Sequence, residues 1–231
     1  MKKLISALFT GLCLVAFQSS AQATDVTFSV GVAGNQGGYY AVGNETRQQT
    51  ETSDGLLHKV TEESGIFEDS HPSGFFEIGI GDNMAVGVEF AMSDIQTPQN
   101  TNATLDKSSA STAGAVKTNT AQASFSDKTT VYIQARMLGG LYTRIMYHNV
   151  NLITEESLGT GSTYGDATLE GLGLGLGYQH DLDDLGVFIR AEISASGYED
   201  AKAISTATPG NVITVTNMYG AEGSIRIGKT F

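Results

Sequence analysis

The sequence predicts an all-β fold: an eight-stranded antiparallel up-and-down transmembrane β-barrel after a cleaved signal peptide. Three observations predict it. Apolar and polar residues alternate over long stretches, while no apolar run reaches the length of a transmembrane helix. Short turns and long polar connections alternate along the chain. The N-terminal residues have the charged, apolar, cleavable order of a secretory leader.

Composition narrows the function classes. The 231 residues suit one domain, or two small ones at most, and 25 Asp and Glu against 13 Lys and Arg give a net charge of -12. The basic residues are too few and too scattered to neutralise a phosphate backbone, which excludes a nucleic-acid partner. In the leader, residues 1–23, Lys2 and Lys3 precede the apolar stretch Leu4 to Phe17, then Gln18-Ser19-Ser20 and the small-residue site Ala21-Gln22-Ala23. The only cysteine, Cys13, lies inside that apolar stretch and leaves with it. The mature domain, residues 24–231, then carries 11 basic against 25 acidic residues, a net of -14. Without cysteine it has no thiol nucleophile, no thiolate metal ligand and no disulfide, so core packing, sheet closure or a membrane must hold it together.

Eight segments alternate. Val26, Phe28, Val30 and Val32 begin the first; Phe76, Ile78 and Ile80 form the second; Met84, Val86, Val88, Phe90 and Met92 the third. Val131, Ile133, Ala135 and Met137 form the fourth, and Leu141, Thr143, Ile145 and Tyr147 the fifth. In the sixth, Leu172, Leu174, Leu176 and Tyr178 alternate with glycines from Gly171 to Gly177. Leu185, Val187, Ile189, Ala191 and Ile193 form the seventh, and Tyr219, Ala221, Ile225, Ile227 and Phe231 the eighth. Several reach the roughly 9–11 residues that a tilted strand needs to cross a bilayer. An even number of antiparallel strands closes without a free edge, as a membrane sheet must.

The connections agree. Asp82-Asn83, Gly139-Gly140 and Asp181 to Asp184 read as tight turns, and the long polar stretches are expected near 34–74, 93–123, 153–164 and 199–211. Pro72, Pro98 and Pro209 all fall in the long set, so none is expected to interrupt a strand. Short turns on one side and long loops on the other are the arrangement of outer-membrane barrels, with the short turns periplasmic.

The last alternating run ends at Phe231, with Tyr219, Ile225 and Ile227 before it. Here the sequence resembles the small eight-stranded outer-membrane β-barrel family, the outer-membrane protein A and X type, whose last strand ends in a terminal Phe. The resemblance implies a cell outer-membrane location and a C-terminal signal, Tyr219, Ile225, Ile227 and Phe231, read by the barrel-assembly machinery. It departs at Lys229, where an aromatic or apolar residue is usual. Both mature termini are expected on the periplasmic side, with no periplasmic domain after Phe231.

With the apolar set facing lipid, the other set faces the lumen. The charges assigned there are Glu77, Glu89, Glu192 and Glu222 against Arg136, Arg144, Arg190 and Arg226. Buried charges are costly unless paired, and Arg offers carboxylates a planar fork. This set reads either as a salt-bridged plug or as a polar path for ions. The inward glycines leave room either for longer neighbouring side chains or for a narrow water channel. Aromatic residues fit interfacial girdles, with Phe76, Phe90, Tyr147 and Tyr219 expected towards the outer rim and Tyr178 and Phe231 towards the periplasmic rim.

No catalytic and no metal site is assigned, and no cofactor. Of the four histidines, His58 and His71 fall in the first long connection and His180 beside a turn; only His148, with Ser157, Glu155 and Glu156 near it in sequence, could be assembled into a hydrolytic set. The first connection carries Glu45, Glu51, Asp54, Glu62, Glu63, Glu68 and Asp69 against Arg47 and Lys59, a net of -5, without the regular ligand spacing of a calcium loop. The second, Thr97 to Ser126, is rich in Ser, Thr, Ala and Asn and reads as weakly ordered surface.

The expected function is a non-enzymatic outer-membrane barrel with a structural or surface-interaction role through its extracellular loops. Its expected partners are outer-membrane lipid and lipopolysaccharide, the assembly machinery, and a surface ligand or host partner of the loops. A narrow ion or small-solute channel is the alternative, and a lipid-modifying enzyme a further one.

Overall fold

The computed structural model describes residues 25–47, 59–106, 115–157, 163–182, 185–206 and 211–231. The expected leader, residues 1–23, therefore lies outside the described residues. Eight strands close into a ring: β1 (Val26–Arg47), β2 (Lys59–Ile80), β3 (Met84–Ala91), β4 (Ala115–Arg136), β5 (Leu141–Ser157), β6 (Ala167–Leu182), β7 (Val187–Tyr198) and β8 (Val212–Thr230). Each pairs antiparallel with its sequence neighbours, and β8 returns to β1 with Ser29 opposite Thr230 and Gly31 opposite Gly228. Phe28 and Phe231 exchange two backbone hydrogen bonds across this seam.

Period-two alternation explains the two faces. On β6 the four glycines from Gly171 to Gly177 are buried inside, while Leu172, Leu174, Leu176 and Tyr178 stand exposed outside. Val26, Phe28, Val30 and Val32 on β1, Tyr219, Ile225 and Ile227 on β8, and Phe231 just past its end extend the same outer apolar band. A closed β-barrel with an apolar outer band is the outer-membrane solution to backbone satisfaction in lipid. Glycines make the tight turns, with Gly81, Gly139, Gly140 and Gly186 all at positive φ.

The strands run well past the apolar band. β1, β2 and β4 have 22 residues each, about twice what a bilayer requires. The connections expected at 34–74 and 93–123 are thus largely strand: β1 and β2 stay in one register from Val26 opposite Ile80 to Arg47 opposite Lys59. The segment expected to be weakly ordered is in part a paired hairpin, Asn100–Asp106 against β4. Pro72 lies inside β2, opposite Gly34, so one proline does fall within a strand. Phe76 is also not at the outer rim; it sits near the short-turn end, its ring 6.2 Å from that of Phe28.

Two shifts of register punctuate the long strands. One lies on β4 between Ser126 and Thr129, where Asp127 has φ 52°; the other lies between Tyr40 and Val42 of β1, opposite Asn217 of β8 at φ 51°. Asn and Asp tolerate this region better than other side chains, so the sequence puts suitable residues at both bulges.

Candidate functional site: the filled lumen

The interior is layered from the short-turn end outwards. The mouth holds a cavity of about 370 Å³ lined by Thr27, Asp82, Gln134, Arg136, Gln179 and Asp181, with Glu77 and Arg190 at its inner limit. Arg136 belongs to this mouth and not to the central charges: it is 31% exposed and pairs with Asp181 at 3.2 Å. Its position as the last residue of β4 carries it out of the lumen.

Above the mouth, Arg190 on β7 grips Glu77 on β2. Its Nη2 donates to Oε2 at 2.8 Å, its Nη1 donates to Oε1, and its Nε donates to Gln179 Oε1 at 2.6 Å. Tyr132 OH gives Glu77 a further hydrogen bond at 2.7 Å. Phe188 lies 4.2 Å from the guanidinium, and the Tyr142 ring lies 5.5 Å from it, so aromatic rings surround the pair.

A second, branched set lies next to it. Arg144 Nη1 donates to both oxygens of Glu192 at 3.2 Å and lies 3.7 Å from Glu89 Oε2. Arg226 donates through Nη1 to Glu89 and through Nη2 to Glu192 Oε1 at 3.3 Å. Ser73 Oγ donates to Glu89 at 2.6 Å, and Asn35 Nδ2 donates to Ser73 Oγ at 3.0 Å. Arg144 is fully buried, its guanidinium 3.4 Å from the centre of the Tyr132 ring. Arg144 Nε, Arg144 Nη2 and Arg226 Nε have no hydrogen-bond partner among the described residues.

The third set holds Glu222 of β8, which accepts from Lys128 Nζ and, at 2.5 Å, from Tyr39 OH. Lys128 is the interior cation that sequence reasoning missed. It shares a face with Thr130 and Tyr132, so the alternation, carried one step back from Thr130, would have found it. Four carboxylates and four cations therefore meet inside, with Lys128 in the place expected for Arg136. His148 shares hydrogen bonds with Thr130 Oγ1 and Ser196 Oγ, each at 2.9 Å. Ser157 is exposed nine residues further along β5, about 30 Å away at a strand's rise, and Glu155 is exposed as well; the hydrolytic set is not assembled. The Glu156 side chain lies outside the described residues.

Outermost comes an apolar cluster. Tyr39, Phe67, Ile95, Phe125, Leu152 and Met218 pack within the strand extensions beyond the apolar band, with ring centres of Tyr39 and Phe67 5.1 Å apart and those of Phe67 and Phe125 5.6 Å apart. The inward glycines serve this filling. A Cβ at Gly87 would overlap the Tyr132 ring, one at Gly177 the Tyr142 ring, and one at Gly228 the Phe188 ring. Of the acidic residues expected in the first connection, Glu45, Glu62, Glu63, Glu68 and Asp69 lie on β1 and β2; Glu51, Asp54 and His58 fall outside the described residues. Among the described residues no His, Cys, Asp and Glu group has the makings of a metal site.

No protein-family model matches the chain, and no curated protein matches it. Among solved structures it is similar to the outer membrane protein OprG from Pseudomonas aeruginosa, at 12% identity, covering 87% of this chain and 96% of that one, with a TM-score of 0.47. AlkL, solved by solid-state NMR in DMPC bilayers, gives 13% identity, 92% and 93% coverage and a TM-score of 0.45. Ail of Yersinia pestis, solved with the heparin analogue sucrose octasulfate, gives 11% identity, 87% and 99% coverage and a TM-score of 0.37.

Proposed function

We propose that this chain is a non-enzymatic outer-membrane barrel whose lumen is a salt-bridged plug and whose work is done by its extracellular strands and loops. One observation carries the reading: the interior is filled layer on layer, from the Glu77–Arg190 pair through the Glu89, Glu192, Arg144 and Arg226 set to the apolar cluster around Phe67. Paired charges packed against aromatic rings stiffen a lumen and fix strand register, whereas a conducting path needs continuous water. The outward Tyr219, Ile225, Ile227 and Phe231 serve as the strand that the assembly machinery reads. Lipid and lipopolysaccharide surround the apolar band, and a ligand or host partner meets the long extracellular strands.

A narrow ion path is the second reading, favoured by the cavity of about 370 Å³ that reaches inwards to Arg190. Single-channel recording of the refolded chain in a planar bilayer separates the two. The plug predicts a folded barrel without discrete openings. Reproducible openings that shift on Arg190→Ala would establish the ion path and overturn the plug.

A further inference from the structure

The wall opens on one side of β2 above Pro72. Backbone direction along β2 follows from its two ladders. Gly81 N–H donates to Asp25 C=O on the β1 side, and Met92 N–H donates to Pro72 C=O on the β3 side. The register with β1 is unbroken from Val26 to Arg47. Odd residues of β2 therefore bond to β1, and even residues direct their N–H and C=O groups away from it. Up to Pro72 those even groups meet β3. Pro72 has no N–H to return to Met92, and the chain beyond Met92 leaves β2 to pair with β4 at Ile95–Gln96 and Asn100–Asp106. Asp69 covers the first step of the gap, accepting from Ser70 N–H at 2.7 Å and from Gln96 N–H at 2.8 Å. From Glu68 to Glu62, β2 pairs only with β1 among the described residues.

The edge this leaves is exposed and chemically patterned. Side chains of Glu62, Ser64, Ile66 and Glu68 share the outward face, with Ile66 76% exposed between the two carboxylates. Natural proteins usually cover or blunt such an edge. Two copies of this chain would bring acidic edges together, so like-charge repulsion opposes self-pairing. An extended peptide with Lys or Arg opposite Glu68 and Glu62 and a β-branched residue opposite Ile66 matches it at every outward position.

We propose that the Glu62–Glu68 edge of β2 is a docking site for an extended basic peptide segment, which adds to the barrel as an extra strand. Main-chain hydrogen bonds to the even residues hold it, and the flanking carboxylates select its charge. The inference rests on the reading of the chain as a surface-interaction protein.

The test uses the full chain refolded in lipid nanodiscs and the seven-residue probe Lys-Thr-Val-Thr-Thr-Thr-Lys, capped at both ends. Binding is measured by fluorescence anisotropy, with a second probe N-methylated at its third and fifth residues. The expected result is saturable binding that weakens with salt, a Kd at least about tenfold higher for the N-methylated probe, and a similar loss on Glu68→Pro. Proline at 64 or 68 removes an edge N–H without touching the β1 ladder, as Pro72 already does, so the barrel stays folded. A Glu62→Gln, Glu68→Gln double variant keeps its sensitivity to N-methylation but loses most of the salt dependence. Equal binding of the two probes, or no binding of either, overturns the docking edge. If the probes fail while bilayers remain silent, the edge alone is wrong; discrete openings overturn the surface reading itself.

Discussion

Glu77 shows how a single residue closes this lumen. It takes two hydrogen bonds from Arg190 and one from Tyr132, and it is almost fully buried. Removing one partner of a buried pair strands the other charge. Glu77→Ala should therefore destabilise the barrel by about 3–5 kcal/mol, measured as a lower urea midpoint for unfolding from detergent micelles. No change in midpoint would mean that Arg190 finds water easily and that the pair is not structural. Most of the interior set was legible in the sequence, because Glu77, Glu89, Arg144, Arg190, Glu192, Glu222 and Arg226 all keep the period of their strands. Arg136 was misplaced and Lys128 was overlooked. Arg136 keeps the period but ends its strand, and alternation says nothing about height along the axis. Lys128 keeps the inward period of Thr130 and Tyr132, but it lies within the bulge, past the last outward apolar residue, so a reading anchored on the apolar set stops before it.

At the scale of the element, the bulge at Asp127 separates two registers of β4: Lys128 keeps the inward period of Thr130 and Tyr132, and the alternation breaks at Ser126. Asp127 holds φ 52°, a conformation that a β-branched residue adopts only under strain. Asp127→Val should cost about 1–3 kcal/mol in the same unfolding measurement, while Asp127→Gly should be close to neutral. Equal effects of the two would show that backbone strain is not what the residue relieves. Strand length is where sequence reasoning fell short. Residues 34–47 and 59–74 lack a lipid-facing apolar set because they stand beyond the membrane, so a rule tuned to the bilayer reads them as loops. Pro72 added to that error: it occupies an edge-directed position, where the missing N–H costs β2 none of its bonds to β1. For the same reason, removing residues 97–123 would not merely trim a loop. It would delete paired strand, since β4 bonds β5 from Thr120 opposite Ser157 downwards.

The whole molecule is a barrel with its apolar side turned out and two kinds of core stacked inside. Ion pairs fill the membrane-spanning part, where outward positions must satisfy lipid and only inward ones can carry charge. Aromatic and aliphatic side chains fill the strand extensions beyond the apolar band, where the outside is polar and the inside can be an ordinary apolar core. Closure by eight strands was readable from the count of alternating segments, but the second core was not, because its members come from segments with no sustained alternation. The central claim is that these layers seal the lumen. Thr27 lines the cavity at the short-turn mouth, below the Glu77–Arg190 pair, and offers a direct test. Thr27→Cys, in a Cys13→Ser background and inserted with one orientation into lipid vesicles, is treated with a membrane-impermeant thiol reagent from each side in turn. A sealed lumen predicts labelling from the short-turn side and none from the long-strand side. Labelling from both sides would show a continuous path and contradict the account.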